Sequence, residues 1–353
     1  MLLDPHGWAP AQAIERVLEN ADVHLTRSAA AETHAAALEL ATGIHTTVAG
    51  AVTELEVLRR ILARQLEALD LRAASAGTHP LASWRNTEVS PGERYQGHHE
   101  SMRELARREP SYALHVHVGI ADAETAARVA DRLRAHLPLL LALSANSPFW
   151  QGRDSGLASA RTPIFQAFPR VGLPRRFGSY AAWVATVRTL VDAGAIADHT
   201  YLWWDVRLQP TLGTVEVRIM DAQTSLRDVA PLLALVQSVA RLEAEEGYVS
   251  EELLDAQEVL AENRFLAARD GIDAQLVDPV RLRLVPAREL VRDVVDAARP
   301  HASDLGCADQ LDAVQALMDD PPAARQRAHA GASGDLEGVV AALSAAFVEE
   351  AAA

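Results

Sequence analysis

Residues Leu114 to Gly119 read Leu-His-Val-His-Val-Gly and alternate strictly between apolar and imidazole side chains. A period of two is that of a β-strand, so Leu114, Val116 and Val118 share one face and His115 and His117 the other. Thr214 to Asp221 repeats the pattern, with Val215, Val217 and Ile219 opposite Glu216 and Arg218. Tyr201 to Leu208 alternates as well and sets Asp205 and Arg207 opposite Val206 and Leu208. The turn-like bridge Gln209-Pro-Thr-Leu-Gly213 predicts that this strand and 214–221 form an antiparallel hairpin. Strands of this kind build a sheet with one greasy side and one side of acids, arginines and imidazoles. Covered charges are costly unless they pair or bind something, so the polar side is the candidate site.

Two His at i and i+2 beside a carboxylate suit a metal site, and carboxylates favour hard cations such as magnesium. The same residues suit imidazoles hydrogen-bonded to the acid with no metal. His-x-His also occurs in metal-dependent amidohydrolases, a reading that the missing βα repeat disfavours.

Around these strands the chain is mostly helical in pattern. Ala11 to Asn20 is a short helix, and Glu32 to Gly43 reads as another, which would set Glu32 and Glu39 on one face. The plain reading of that face is a solvated one. Thr46 to Leu69 carries the apolar stripe Val52, Leu55, Leu58, Leu62 and Leu66. Leu71 to Ala76 reads as a strand and Arg85 to Glu100 as a loop. Asp122 caps a long helix over 123–144 that Pro138 kinks. The Gly-, Ser- and Arg-rich stretch 145–161 is a long loop of the functional kind. Tyr180 to Ala193 is a helix that stops at Gly194. Further helices run over 226–247, 250–269, 286–299, 308–319 and 334–350, broken once by the turn Asp278-Pro279. Nothing divides the chain, so one domain over 1–353 is expected.

Composition then excludes mechanisms. All 33 basic residues are Arg, which rules out a Walker A lysine, a pyridoxal Schiff base and a nucleotidyl-lysine. Any ATP phosphates must be held by Arg and metal ions. A net charge of -15 with no basic run makes nucleic acid and anionic membranes poor partners. One cysteine, Cys307, excludes an intrachain disulfide. The opening Met-Leu-Leu-Asp-Pro-His lacks the pattern of a signal peptide, and the apolar run Leu139 to Leu143 is too short to span a bilayer. A cytoplasmic protein is the expectation.

Several motifs in order, His115-Val-His-Val-Gly119, Ala145-Asn-Ser-Pro-Phe-Trp150, Arg153-Asp-Ser-Gly156, Ser159-x-Arg161, Trp204-Asp-Val-Arg207, Gly213 to Asp221 and Glu262-Asn-Arg264, closely resemble the carboxylate-amine ligases of the glutamate-cysteine ligase type 2 family. The resemblance runs over nearly the whole chain. It implies an α+β, glutamine-synthetase-like fold, with a curved, mainly antiparallel sheet and helices packed on one face. It implies that ATP phosphorylates a carboxylate, typically the γ-carboxyl of glutamate, and that an amine, typically cysteine's, displaces phosphate, with magnesium offsetting charge. On that basis Glu32, Glu39, His115 and Glu216 are expected metal ligands and Arg218 and Arg161 catalytic. Arg153, Arg161, Arg218, Asn263 and Arg264 are the expected ATP-binding set. A homo-oligomer is compatible with this. Family members usually open with a strand reading Gly-Val-Glu-Glu-Glu before Leu-Leu-Asp-Pro, and this chain opens at Met1-Leu-Leu-Asp-Pro5. The expectation is that the in-frame upstream sequence encodes that strand. A degenerate member that binds without catalysis is the alternative.

Overall fold

The structure is a computed structural model and describes residues 1–107 and 110–348. It is an α+β fold, as expected. At its centre lies a three-stranded antiparallel sheet in the order Val206–Gln209, Thr214–Val217, Val116–Gly119. The predicted hairpin is there, with Val206 opposite Val217 and Gln209 opposite Thr214. The rest of the sheet structure among the described residues is a set of two-stranded pieces, all antiparallel except Val171–Gly172 against Trp203–Trp204.

Val206, Leu208, Val215 and Val217 are each 4% exposed or less and pack in one apolar cluster with Val129, Leu133, Leu232, Leu235 and Val236. The helices Ala123–Leu133 and Leu226–Glu245 therefore cover the greasy side of the sheet. Each such side chain contributes about 1.5–3 kcal/mol on leaving water. This burial sets the register, since a slip of one residue would turn Glu216 and Arg218 into the core.

Local chemistry explains several element ends. Thr47, Asp122, Ser179 and Ser225 each cap a helix by accepting a main-chain N–H. Gly194, at φ +71°, stops the helix Tyr180–Asp192. The long helix expected over 123–144 is two, Ala123–Leu133 and Leu137–Ser144. Pro138 is the reason: its ring would meet the carbonyl four residues back, whereas in the first turn of a new helix its missing N–H costs nothing.

Three other expectations are corrected. Glu32 to Gly43 is not a helix but lies on a hairpin, Ala29–Ala31 against Leu38–Leu40, with Ala30 opposite Glu39. The expected loop 85–100 contains the start of a helix, Glu93–Met102. The Asp278-Pro279 turn belongs to a hairpin, Gln275–Asp278 against Arg283–Pro286, which the helical reading overlooked. In the C-terminal stretch the helix is Leu336–Ala346, and residues 349–350 of the expected one lie outside the described residues. No helix among the described residues is long and apolar enough to cross a membrane.

One buried imidazole ties the amino-terminal turn to this frame. His79 is 2% exposed. Its Nε2 donates to the Trp8 carbonyl at 2.8 Å, and its Nδ1 accepts from the Leu81 and Ala82 N–H groups at 3.1 Å. Those contacts use the neutral ring on both sides. Burial pushes its pKa down from 6.5 to about 4, against the Trp8 hydrogen bond, which acts to raise it. Between those values the unfolded chain takes up a proton that the folded chain refuses, so stability falls as pH drops from about 6.5 to about 4. The expected loss is on the order of 2 kcal/mol by pH 4.5. Urea unfolding at pH 7 and 4.5 checks it: the wild type should lose more than His79→Gln, and equal losses would remove His79 as the cause.

Candidate active site

On its polar side the sheet carries three rows of side chains, set by the register. His117, Glu216 and Arg207 lie directly across from one another. Gly119, Thr214 and Gln209 form the row on one side of them. On the other side, Arg218 donates its main-chain N–H to the Asp205 carbonyl at 2.7 Å and meets His115 across the sheet.

Glu216 is the hub. It is 2% exposed. One oxygen accepts from Arg207 Nε at 2.6 Å and Gln209 Nε2 at 2.8 Å, and the other accepts from Arg218 Nη1. Burial alone would raise its pKa, but Arg218 and Arg207 outweigh that and hold the carboxyl well below the usual range. It is ionised at any working pH.

Arg207 is fully engaged, since its Nη1 also donates to the carbonyls of Thr200 and Leu202. Arg218 is not: its buried Nε has no partner. Arg218 Nη1 donates to His115 Nδ1 at 3.3 Å, which makes Nδ1 the acceptor and leaves the ring hydrogen on Nε2. Burial, then the charge of Arg218, push the half-buried His115 well below its ordinary pKa, so it is a neutral donor. His117, more exposed, pairs Nδ1 with Thr214 Oγ1 at 2.9 Å, and burial lowers its pKa too.

Behind this face the charges interlock. Arg264 forks onto Asp205, with Nε 2.6 Å from Oδ2. Asp221 is fully buried and accepts from Asn146 N at 2.8 Å, Ser147 Oγ at 2.6 Å and Ser159 Oγ at 3.0 Å, with Arg161 Nη1 at 3.7 Å. Arginines 161, 207, 218 and 264 thus face carboxylates 205, 216 and 221. Four against three leaves an excess of one positive charge around an unpartnered Arg218 Nε, which is an arrangement for an anion.

The residues nominated from sequence divide unevenly over this geometry. Glu216, Arg218 and His115 meet at its centre. Arg161 is 4% exposed and spends its terminal nitrogens on main-chain carbonyls, although its buried Nε, like that of Arg218, has no partner. Asn263 is spent on a strand edge, where its amide exchanges hydrogen bonds with Val277 N and O at 2.7 and 2.8 Å. Arg153 is exposed on the hairpin Phe149–Trp150 against Arg153–Asp154. Glu32 and Glu39 are exposed at their own hairpin, and Glu32 accepts from the neighbouring Thr33 N–H. Among the described residues no three His, Cys, Asp or Glu side chains form a group fit to hold a metal ion. With Glu216 bound by guanidinia and His115 Nδ1 by Arg218, the donors at this face do not fit a resident hard cation, which wants about six oxygens.

Comparison with known proteins matches residues 2–342 to the model of glutamate-cysteine ligase family 2. The chain belongs to that family. Two relatives from Rubrobacter xylanophilus, named "Putative glutamate--cysteine ligase 2-1" and "2-3", are each 40% identical. The first match covers 93% of this chain and 87% of the relative, the second 96% and 92%. A relative of Gloeobacter violaceus, named "Putative glutamate--cysteine ligase 2", is 38% identical over 88% of this chain and 84% of its own. Among solved structures, a glutamate–cysteine ligase of Francisella tularensis in complex with AMP gives a TM-score of 0.67 at 13% identity, over 92% of this chain and 82% of that one. A bifunctional glutathione synthetase of Pasteurella multocida gives 0.69 at 12% identity over 91% of this chain, which spans about half (48%) of its length. At that identity the two structures speak for the fold. The amidohydrolase reading falls here, because His115 and His117 sit in the antiparallel sheet of a ligase-family fold.

Within this family member the sequence reading passed over Gln209, Asp221, Ser147 and Ser159. The last three lay inside recognised motifs, but their meeting depends on chain segments more than 60 residues apart in sequence, from Ser159 to Asp221.

Proposed function

We propose that this protein is an ATP-dependent carboxylate-amine ligase that joins the γ-carboxyl of glutamate, or a similar carboxylate, to an amine, with cysteine the first candidate. In the first step a carboxylate oxygen takes the γ-phosphoryl group of ATP and ADP leaves. In the second the amine nitrogen bonds to the acyl carbon, phosphate leaves with the C–O electron pair, and the nitrogen gives up a proton. The observation that carries the reading is Arg218, held by Glu216 with an unpartnered Nε, in a face with excess positive charge in a member of this ligase family. Arg218 takes the anionic oxygen of the carboxylate or phosphoryl group, and neutral His115 offers a second donor beside it. Exposed Arg153 remains a candidate for the nucleotide phosphates, while Asn263 and Arg264 act through the frame they tie together. Magnesium belongs to this reading as the companion of the nucleotide, with Glu32 and Glu39 the exposed carboxylates proposed to meet it. The substrates are small molecules and the location is cytoplasmic.

ADP release with glutamate and a panel of amines tests it. Release that needs both glutamate and one amine is expected, and none with any amine would overturn the reading in favour of a member that binds without turnover. Arg218→Lys replaces a planar fork by a point charge and is expected to lose about a hundredfold in ADP release. A variant within a factor of three would take Arg218 out of the chemistry.

A further inference from the structure

The alternating pattern of the site strand runs to Asp221, yet the strand ends at Val217. Beyond Val217 the pairing goes on one residue out of step: Val217 lies opposite Val116 but Asp221 opposite Ala113, and the Met220 carbonyl accepts from the Leu114 N–H at 3.1 Å. Arg161 sits at this step. Its Nη1 donates to the Ile219 carbonyl at 2.9 Å and its Nη2 to the Arg218 carbonyl at 3.2 Å. Two successive carbonyls of a pleated strand point to opposite sides, so one guanidinium reaches both only where the strand has left its pleat. Arg161 therefore takes up the two carbonyls that this step brings within reach of one side chain.

The effect falls on Arg218. Its main-chain N–H is held by the Asp205 carbonyl and its C=O by Arg161, so both ends of the residue are pinned. Arg161 is pinned in turn. Its own N–H donates to Ser147 Oγ at 3.2 Å, and that hydroxyl donates to Asp221 Oδ2. Ser159 Oγ donates to the other oxygen of Asp221. The result is a closed ring of residues, each 4% exposed or less, that touches the site through the backbone of Arg218.

We propose that Arg161 and Asp221 are positioning residues that aim the Arg218 guanidinium, and that Arg161 does not itself contact substrate. The activity arm of the test rests on the ligase reading; the spectroscopic arm does not. With arginine labelled at Nε in the full chain, the Arg218 Nε–H signal is identified by its loss in Arg218→Lys. In ligand-free Arg161→Lys that signal is expected to broaden and move towards the position of free arginine. ADP release should fall at least tenfold, and the double variant Arg161→Lys/Arg218→Lys should be within about threefold of Arg218→Lys alone, because both act on one group. An unchanged Arg218 signal, with the KM for glutamate alone raised, would overturn the proposal and make Arg161 a substrate ligand. Ser159→Ala removes one donor to Asp221, and its contacts with Thr162, without removing a hydrogen bond of Arg161, and serves if Arg161→Lys does not fold. It should move the same signal, and an unmoved one would overturn the proposal. If the wild type releases no ADP with any amine, the ligase reading fails while the Arg218 signal still decides the positioning role.

Discussion

Glu216→Ala is expected to lower ADP release at least a thousandfold and to cost about 3–5 kcal/mol of folding stability. Both effects have one origin. The carboxylate gathers Arg207, Arg218 and Gln209 at 2% exposure, so its removal leaves two guanidinia facing each other without a counter-charge. Arg207 keeps the Thr200 and Leu202 carbonyls, but Arg218 loses the contact that orients its head group. Glu216→Gln keeps the volume and one acceptor, and should recover part of the stability but little of the turnover. Urea unfolding and ADP release on the same preparations check the pair. Turnover near that of the wild type would show that Arg218 needs no aiming by Glu216. A stability loss below about 1 kcal/mol would show that the two arginines find other partners.

Gly77→Ala, outside the three strands that carry the site, is expected to be nearly as damaging to stability. A Cβ at Gly77 would stand 2.6 Å from Asp221 Cγ, 2.7 Å from its Oδ2 and 2.8 Å from Ser147 Oγ. Real Cβ atoms do not approach so closely, and the obstacle is a buried carboxylate held by three donors. The methyl group must push Asp221 away from Ser147, which costs overpacking and broken hydrogen bonds together, at least about 3 kcal/mol. Activity should fall at least tenfold through Arg161 and Arg218. Gly7→Ala, where a Cβ meets nothing within 4 Å, is the control and should stay within about 0.5 kcal/mol of the wild type. Equal melting curves for the two variants would mean that the Asp221 pocket opens without penalty.

The central sheet was legible because its chemistry is local. Alternation within 114–119, 201–208 and 214–221 states the face and the existence of each strand, although the paired segments are only Val116–Gly119, Val206–Gln209 and Thr214–Val217, and the bridge 209–213 states the hairpin. Glu32 to Gly43 misled because its run of alanines favours a helix, whereas the buried corner Ala35, Ala36 and Ala37 packs as the bend of a hairpin. The hairpin 275–286 was missed for a similar reason: its turn puts Leu282, not a glycine, at φ +50°, so the usual turn signal is absent. At the site, residue types announced themselves but partners did not. Glu216 reads equally as a metal ligand or an arginine anchor, and nothing in the sequence shows that Arg207 lies opposite it. Arg161 reads as a phosphate ligand from its motif, and nothing in the sequence shows that its terminal nitrogens lie on the carbonyls of Arg218 and Ile219.

The interlocked pairs behind the face also constrain how such a sequence can drift over generations. Asp205 serves Arg264 with its carboxylate and Arg218 with its carbonyl, Glu216 serves two arginines, and Arg161 leans on the main chain just ahead of Asp221. A lone change at any of these positions strands a buried charge, and that intermediate is selected against before a compensating change can arise. Viable routes therefore run through simultaneous replacements, or through uncharged partners such as Ser159. Lineages of this fold should exchange these residues in blocks, and the polar interior should be among the slowest parts of the molecule to change its chemistry.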